Sequence, residues 1–180
     1  MKTIKVQIKG TTPLLMANAL SMLEEKKEVS SSTKKANPMD AVEKLAYRDD
    51  NKMLYVPAEA IKGCMVNAAS YVKFGKYAAK PMIAGSVRIN PARISLGTKT
   101  YKVDKRTAVN RMKGRIVVMR PVVENWKIDF ELVYDDEVIA NAGLIKPILE
   151  NGGKRVGILA FRPEKLGNFG MFEVTKWEEQ

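Results

Sequence analysis

Residues 2–9 alternate. Ile4, Val6 and Ile8 fall on one side of an extended chain, and Lys5, Gln7 and Lys9 on the other. A period of two predicts a strand with one buried face and a polar, basic outer face. Gly10 and Pro13 end it. Leu20 and Leu23 stand at helical spacing just before "EEKKE", and "VSSSTKKAN" (29–37) has the low apolar content of a loop. "NPMDAVEKLAYR" opens as a helix should, with Asn37 as cap, Pro38 in the first turn and Asp40 near the positive helix end. "DDNK" is a turn, and "MLYVP" a short strand closed by Pro57. In "AEAIKGCMVNAASYV", Ile61, Met65, Ala68 and Val72 recur at helical spacing, which marks the first core helix.

"SVRINPARISL" holds strand-like pieces on either side of Pro91. Residues 97–115 are polar and strongly basic, and "RIVVMRPVV" returns to strand character. "NWKIDFELVYDD" is the clearest strand, with Trp126, Ile128, Phe130, Leu132 and Tyr134 on one face and Lys127, Asp129 and Glu131 on the other. In "EVIANAGLIKPILENGG", Val138, Ala142, Ile145 and Leu149 share a helical face. Pro147 is expected near the C-terminal end of that helix, kinking it, with Gly152 and Gly153 as its cap. "GMFEVTKW" is the last strand. The order strand, helix, strand, strand, helix, strand predicts an α+β domain, a ferredoxin-like (RRM-like) β-α-β-β-α-β core spanning residues 1–180. Two insertions interrupt it, at about 14–56 and 97–115.

Charge adds a partner to this picture. Thirty-one Lys and Arg against 20 Asp and Glu give +11, a balance that suits a polyanion. Ten basic residues crowd into 88–120: Arg88, Arg93, Lys99, Lys102, Lys105, Arg106, Arg111, Lys113, Arg115 and Arg120, with Asp104 the one acidic residue among them. As a surface arm such a segment tracks phosphates; a solvated basic loop is the plainer alternative. Residues 101–118 are expected to form a thumb-like hairpin with its tip within 104–111, too poor in apolar residues to be ordered without its ligand. Val109 and Met112 are candidates for a wedge between bases, or for packing back on the domain.

"ENGGKRVGILAFRPEKLGNFGMFEV" (150–174) carries Gly152, Gly153, Gly157, Gly167 and Gly170, with Lys154, Arg155, Arg162 and Lys165 interspersed. Glycines here allow the backbone to pass close to a phosphate chain; a flexible connection is the alternative. Lys62, placed in the first turn of its helix, joins the candidate anion contacts. The RRM aromatic signature is absent, and Asp129 and Glu131 on the outer sheet face repel phosphates, so loops and the arm are the expected contacts.

The chain has no histidine and a single cysteine, Cys64. These exclude histidine-dependent hydrolases and nucleases, an internal disulfide and a Cys/His zinc site; no cofactor or metal is expected, and a cytoplasmic setting fits. The N-terminal alternation is unlike a signal peptide, and no apolar run approaches the length of about 18 residues that a membrane span needs.

"YVPAEAIKGCMVNAA" (55–69) resembles the short strand, proline turn and helix start of the RAMP superfamily, the ferredoxin-like RNA-binding proteins of CRISPR systems. "NGGKRVG" followed by "LGNFGMFEV" is similar to the glycine-rich loop before the last strand of that superfamily. It departs from the family pattern in ending Gly167-Asn168-Phe169-Gly170 and in the intervening "ILAFRPEK". Size and insertions look most like the backbone subunits. The resemblance therefore implies binding of guide RNA, head-to-tail assembly with copies of itself, contact with other effector subunits, and a thumb that interrupts base stacking. No catalytic residue carries over: Asp40, Asp49 and Asp50 match no family segment. Two other readings remain, a filament-forming single-stranded DNA-binding protein of a mobile element and a nuclease using carboxylates such as Asp40, Asp49, Asp50, Asp135 and Asp136.

Overall fold

Alternation in the first strand is a packing instruction, and the main sheet obeys it. The computed structural model describes residues 1–19, 37–109 and 113–180. Strand β1 (Lys2–Gly10) lies at the centre of a four-stranded antiparallel sheet with β6 (Val87–Asn90), β10 (Lys127–Tyr134) and β11 (Phe172–Glu179), in the order β11-β1-β10-β6. Ile4, Val6 and Ile8 pair with Leu132, Phe130 and Ile128 and share one buried face with Val87, Ile89 and Phe172. Helix α2 (Ala58–Ala68) presses Ile61, Met65 and Ala68 into this face, as its spacing predicts.

Other elements flank this layer. Helix α1 (Pro38–Lys44) starts as expected: Asn37 caps it, its side chain accepting from the Met39 amide at 3.1 Å. Strand β3 (Tyr55–Pro57) pairs with β7 (Arg93–Ser95). Strand β2 (Leu14–Leu15) joins the base of a long hairpin, β8 (Lys102–Val109) and β9 (Arg115–Val123), giving a sheet in the order β2-β9-β8. Two elements lie in a stretch the periodicity left blank: the small hairpin β4 (Lys73–Phe74) and β5 (Tyr77–Ala78), and helix α3 (Ala79–Ser86). Leu20 and Leu23 lie outside the described residues. No helix among the described residues is long and apolar enough to cross a membrane.

The second core helix differs from expectation. Helix α4 spans only Lys146–Asn151, and Pro147 stands in its first turn. There its missing N–H costs no intrahelical bond, so proline starts this helix instead of kinking it. Val138, expected on the buried face, is 44% exposed, while its neighbour Ile139 is buried. Gly152 stands at the C-cap of the helix as expected, but in the right-handed conformation, and Gly153 does not cap it. They continue it into a π-helical turn, Gly152–Val156, and the left-handed terminating residue is Gly157 at φ +73, whose N–H bonds to the Gly152 carbonyl at 2.8 Å.

Candidate nucleic-acid interface

The β8–β9 hairpin has two unlike faces. Its register sets Asp104 opposite Arg120, Arg106 opposite Val118 and Ala108 opposite Ile116, all on one side. That side leans on the glycine-rich segment. Leu15, Val122 and Phe169 make a small core at the base, and a cleft of about 170 Å³ lies between Arg106, Val118 and Phe161. The Arg106 guanidinium sits 4.5 Å from the centroid of the Phe169 ring and 5.7 Å from that of Phe161, and its Nε is 2.7 Å from Asp104 Oδ2. Arg106 is thus largely occupied, by a carboxylate and by the negative faces of two rings. The opposite side carries Lys105, Thr107 and Val109 on one strand and Arg115 and Val117 on the other. These point to solvent; Val109 is 68% and Val117 69% exposed. Uncompensated cations beside open apolar side chains can hold phosphates and touch bases at once.

This arrangement corrects two expectations. Strand pairing runs unbroken from Lys102 to Val109, so residues 104–109 are strand and not tip. The arm is joined to the body at its base, beyond residue 118, through the buried Val122, Val123 and Leu15. Val109 does not pack back on the domain. Arg111 and Met112 lie outside the described residues, and Lys113 and Arg115 follow them on the exposed arm.

The basic run 88–120 is not one arm. Arg88 projects from β6 onto the open face of the main sheet, since it pairs with Val133. Arg93 lies on β7 with its guanidinium 5.5 Å from the Tyr55 ring centroid. Lys99 sits on the connection to the hairpin, and its carbonyl accepts from Arg48 Nη1 at 2.9 Å. The open sheet face itself is close to neutral: Lys5, Lys9, Lys127 and Lys176 are interleaved with Asp129, Glu131, Glu173 and Glu178. It forms a shallow cleft of about 530 Å³ with no aromatic ring directed outward on β1 or β10.

Lys62 is also displaced from its expected place. It is the fifth residue of α2, beyond the first turn, and its Nζ donates to the carbonyls of Ile83 and Val87 at the C-terminal end of α3. An ammonium suits that end of a helix. Burial, with the nearby Arg88 adding to it, pushes its pKa down.

All five glycines of the 150–174 stretch are buried. A Cβ added at Gly153 would lie 2.1 Å from the Phe172 carbonyl oxygen, at Gly167 1.8 Å from that of Phe161, and at Gly170 2.0 Å from that of Ile158. Gly152 faces Cys64 Sγ and Gly157 faces Pro163. The close backbone approach these glycines permit is therefore to the protein's own chain, a correction to the phosphate reading. Burial raises the Cys64 thiol to about 12, which leaves it unreactive. Of the basic residues, Lys154, Arg155 and Lys165 are exposed. Arg162 is a staple: it donates to Glu164 Oε2 at 2.6 Å and to the Leu159 carbonyl at 3.0 Å. Beside it, α2 and residues 159–162 border a cleft of about 450 Å³ lined by Tyr47, Glu59, Gly63 and Leu159. Phe161 and Phe169, which seat the hairpin, were absent from the expected set; aromatics within a glycine-rich stretch are their only sequence signal.

Of the carboxylates weighed for metal chemistry, Asp49 and Asp135 serve turns, and Asp136 pairs with the N-terminal ammonium. Asp49 Oδ1 accepts from the amides of Asn51 and Met53, and Asp135 Oδ1 from that of Glu137. Among the described residues no three His, Cys, Asp or Glu side chains cluster as metal ligands would.

No protein-family model matches this chain, and no curated protein matches it in sequence. Among solved structures, a chain in the cryo-EM structure of the type III-B Cmr-beta bound to cognate target RNA aligns with a TM-score of 0.60 at 18% identity. The two share a fold. The alignment covers 99% of this chain and 60% of that one, so this chain spans about three fifths of its neighbour's length. A chain of a CRISPR RNA-guided surveillance complex aligns more loosely, with a TM-score of 0.43 at 12% identity over 96% of this chain and 66% of the other. The resemblance that the "YVPAEAIKGCMVNAA" segment carries is thus met at the level of fold by the first of these chains.

Proposed function

We infer that this chain is a ferredoxin-like backbone subunit of a CRISPR-type effector, binding single-stranded RNA and assembling head to tail along it with copies of itself and other subunits. The strand order β11-β1-β10-β6, with α2 and α4 in the crossovers, supports the ferredoxin-like topology. The observation that carries the functional reading is the hairpin: seven basic residues and one acidic one between 102 and 123, with Lys105 and Arg115 on its solvent side. A subunit of this size covers only a short length of strand, so coverage of a long one needs a repeating heterologous contact. The reading includes no catalytic step and no cofactor; it is supported by the absence of histidine and by the turn roles of Asp49 and Asp135.

The test is a salt titration of binding to labelled single-stranded RNA and to DNA of the same sequence. Neutralising about six phosphates gives a log–log slope near −4, several hundredfold in affinity between about 50 and 200 mM salt. Replacing Lys105, Lys113 and Arg115 together with Ala should shrink the slope by about 2, with little change in melting temperature. RNA should bind more tightly than DNA through its 2′-hydroxyls. A triple variant that binds with the wild-type slope removes the hairpin from the interface.

A further inference from the structure

Between Glu59 and Asp104 the chain carries eight basic residues and no acidic one. Part of that charge gathers on the β4–β5 hairpin and the turns beside it, away from the β8–β9 arm in sequence and in fold. Gly75, at φ +60, turns the chain between Phe74 and Tyr77. Phe74 on one side and Ala79 on the other are buried, so this tight turn is held on the body. What it displays is exposed: Lys73, Lys76 and Lys80, and the Tyr77 ring, 73% exposed. Just before it, Tyr71 ends the short 3₁₀ turn after α2 and is 61% exposed. Arg155, from the π-helical turn, places its guanidinium 5.5 Å from the Tyr71 ring centroid, and Lys154 beside it faces solvent. Lys73, Lys76, Lys80 and Lys154 make no salt bridge with any described carboxylate.

Two large rings left in water beside unneutralised lysines are poorly explained by folding. Each ring would be stabilised by burial, and the lysines repel one another. A single-stranded nucleic acid relieves both, because bases stack on exposed rings while flanking phosphates neutralise the cations. We propose that Tyr71 and Tyr77, flanked by Lys73, Lys76, Lys80 and Lys154, form a second contact for single-stranded RNA: a stacking platform separate from the β8–β9 arm. Arg155 holds the Tyr71 ring from one side and adds charge to the same strand. The proposal rests on the reading that the chain binds single-stranded RNA, but it uses none of the residues of the arm.

The experiment measures binding of a long labelled poly-U RNA across a salt series, with photocross-linking from 4-thiouridine in the same RNA. Tyr71→Ala and Tyr77→Ala each weaken binding by between about fivefold and a hundredfold, at unchanged salt slope, since no cation is lost. Tyr71→Phe and Tyr77→Phe retain nearly full affinity, because the ring and not the hydroxyl stacks. Replacing Lys73, Lys76 and Lys80 with Ala lowers the slope by about 2. Cross-links map to Tyr71 or Tyr77. All these side chains are exposed, so melting temperatures stay at the wild-type value and confirm that the variants fold. If the wild type binds RNA and the tyrosine variants bind it equally well, the platform is wrong while the arm survives. If the wild type binds no RNA, both readings fall. If a polyglutamate peptide displaces RNA from the wild type and binds the tyrosine variants undiminished, the surface is a site for an acidic protein and the stacking proposal is overturned.

Discussion

Two glycine-to-alanine substitutions should move stability in opposite directions, and their geometry says by how much. At Gly153 an added Cβ lies 2.1 Å from the Phe172 carbonyl oxygen and 2.8 Å from its ring, where ordinary contact begins near 3.4 Å. Phe172 cannot retreat freely, because it pairs with Gly10 in the main sheet and its ring meets Trp126 edge-on at a centroid distance of 6.4 Å. A shift of about 1 Å in a packed core costs about 1–3 kcal/mol, from which alanine's smaller backbone entropy loss returns about 0.5–1. The net loss, centred on about 1 kcal/mol, lowers the melting temperature by about 2–4 °C in a chain of this length. At Gly63, in the interior of α2, nothing lies within 4 Å of the added Cβ. Alanine there stabilises the helix by about 0.5–1 kcal/mol and raises the midpoint by about 1–4 °C. Thermal unfolding followed by circular dichroism, both variants in one buffer, decides it. A Gly153→Ala protein that melts at or above wild type refutes the claim that this glycine is required by its own neighbours. The pair also informs the interface. Gly63 borders the α2 cleft and is open to an approaching strand; if RNA crosses there, the more stable Gly63→Ala protein binds it less tightly.

Lys62→Met should lower stability by about 1–2 kcal/mol, because two helix-end carbonyls lose a charged donor while one desolvation cost is relieved; the salt slope of RNA binding should stay at the wild-type value, and a reduced slope would restore Lys62 to the interface. Leu166 stands at φ +60 and is 94% exposed, so Leu166→Gly removes backbone strain at no cost in burial and should raise the melting temperature by a few degrees; a fall would mean that the Leu166 side chain has a packing role. Glu43 is held below its ordinary 4.5 by hydrogen bonds from Arg48 and from Tyr101, whose own hydroxyl is raised to about 12 by burial and by Glu43. A depressed carboxylate stabilises the fold above its unfolded value and loses that contribution as pH falls through the folded one. Urea midpoints of wild type and Glu43→Gln should therefore converge on acidification below 4.5, and midpoints that stay equally far apart would refute the assignment.

What the sequence disclosed about the fold follows from how many faces each element buries. β1 and β10 are each buried on one face and solvated on the other, so a period of two survives in their sequences and names their core residues without error from Ile4 to Tyr134. The same holds for Ile61, Met65 and Ala68 on α2. Where one residue type has two structural uses, the pattern misleads. Proline ends a helix from inside and begins one from its first turn, and Val138, Ala142, Ile145 and Leu149 fit a helical period whether or not a helix spans them all. The β4–β5 hairpin and α3 leave almost no periodic trace, because elements of two and eight residues are too short to show one.

The candidate site was harder to read, for a different reason. Charge counted along a chain says nothing of which side chains the fold neutralises. Arg106, Arg162 and Lys62 are as basic in sequence as Lys105, Lys113 and Arg115, yet the first three are held by Asp104 and the Phe169 ring, by Glu164, and by two carbonyls. Only cations left without an internal partner release counterions when a polyanion arrives, so only they set the salt dependence of binding. The glycines invert in the same way. Five that looked like an open cradle are filled by the protein's own backbone and side chains, while Gly63, in the middle of α2, has nothing against it. Burial separates the groups that build the surface from the groups available on it. For this chain it leaves the outer face of the β8–β9 arm, the open side of α2 and the Tyr71–Lys80 turn open to solvent, and these are the surfaces on which the proposed RNA contact is to be tested.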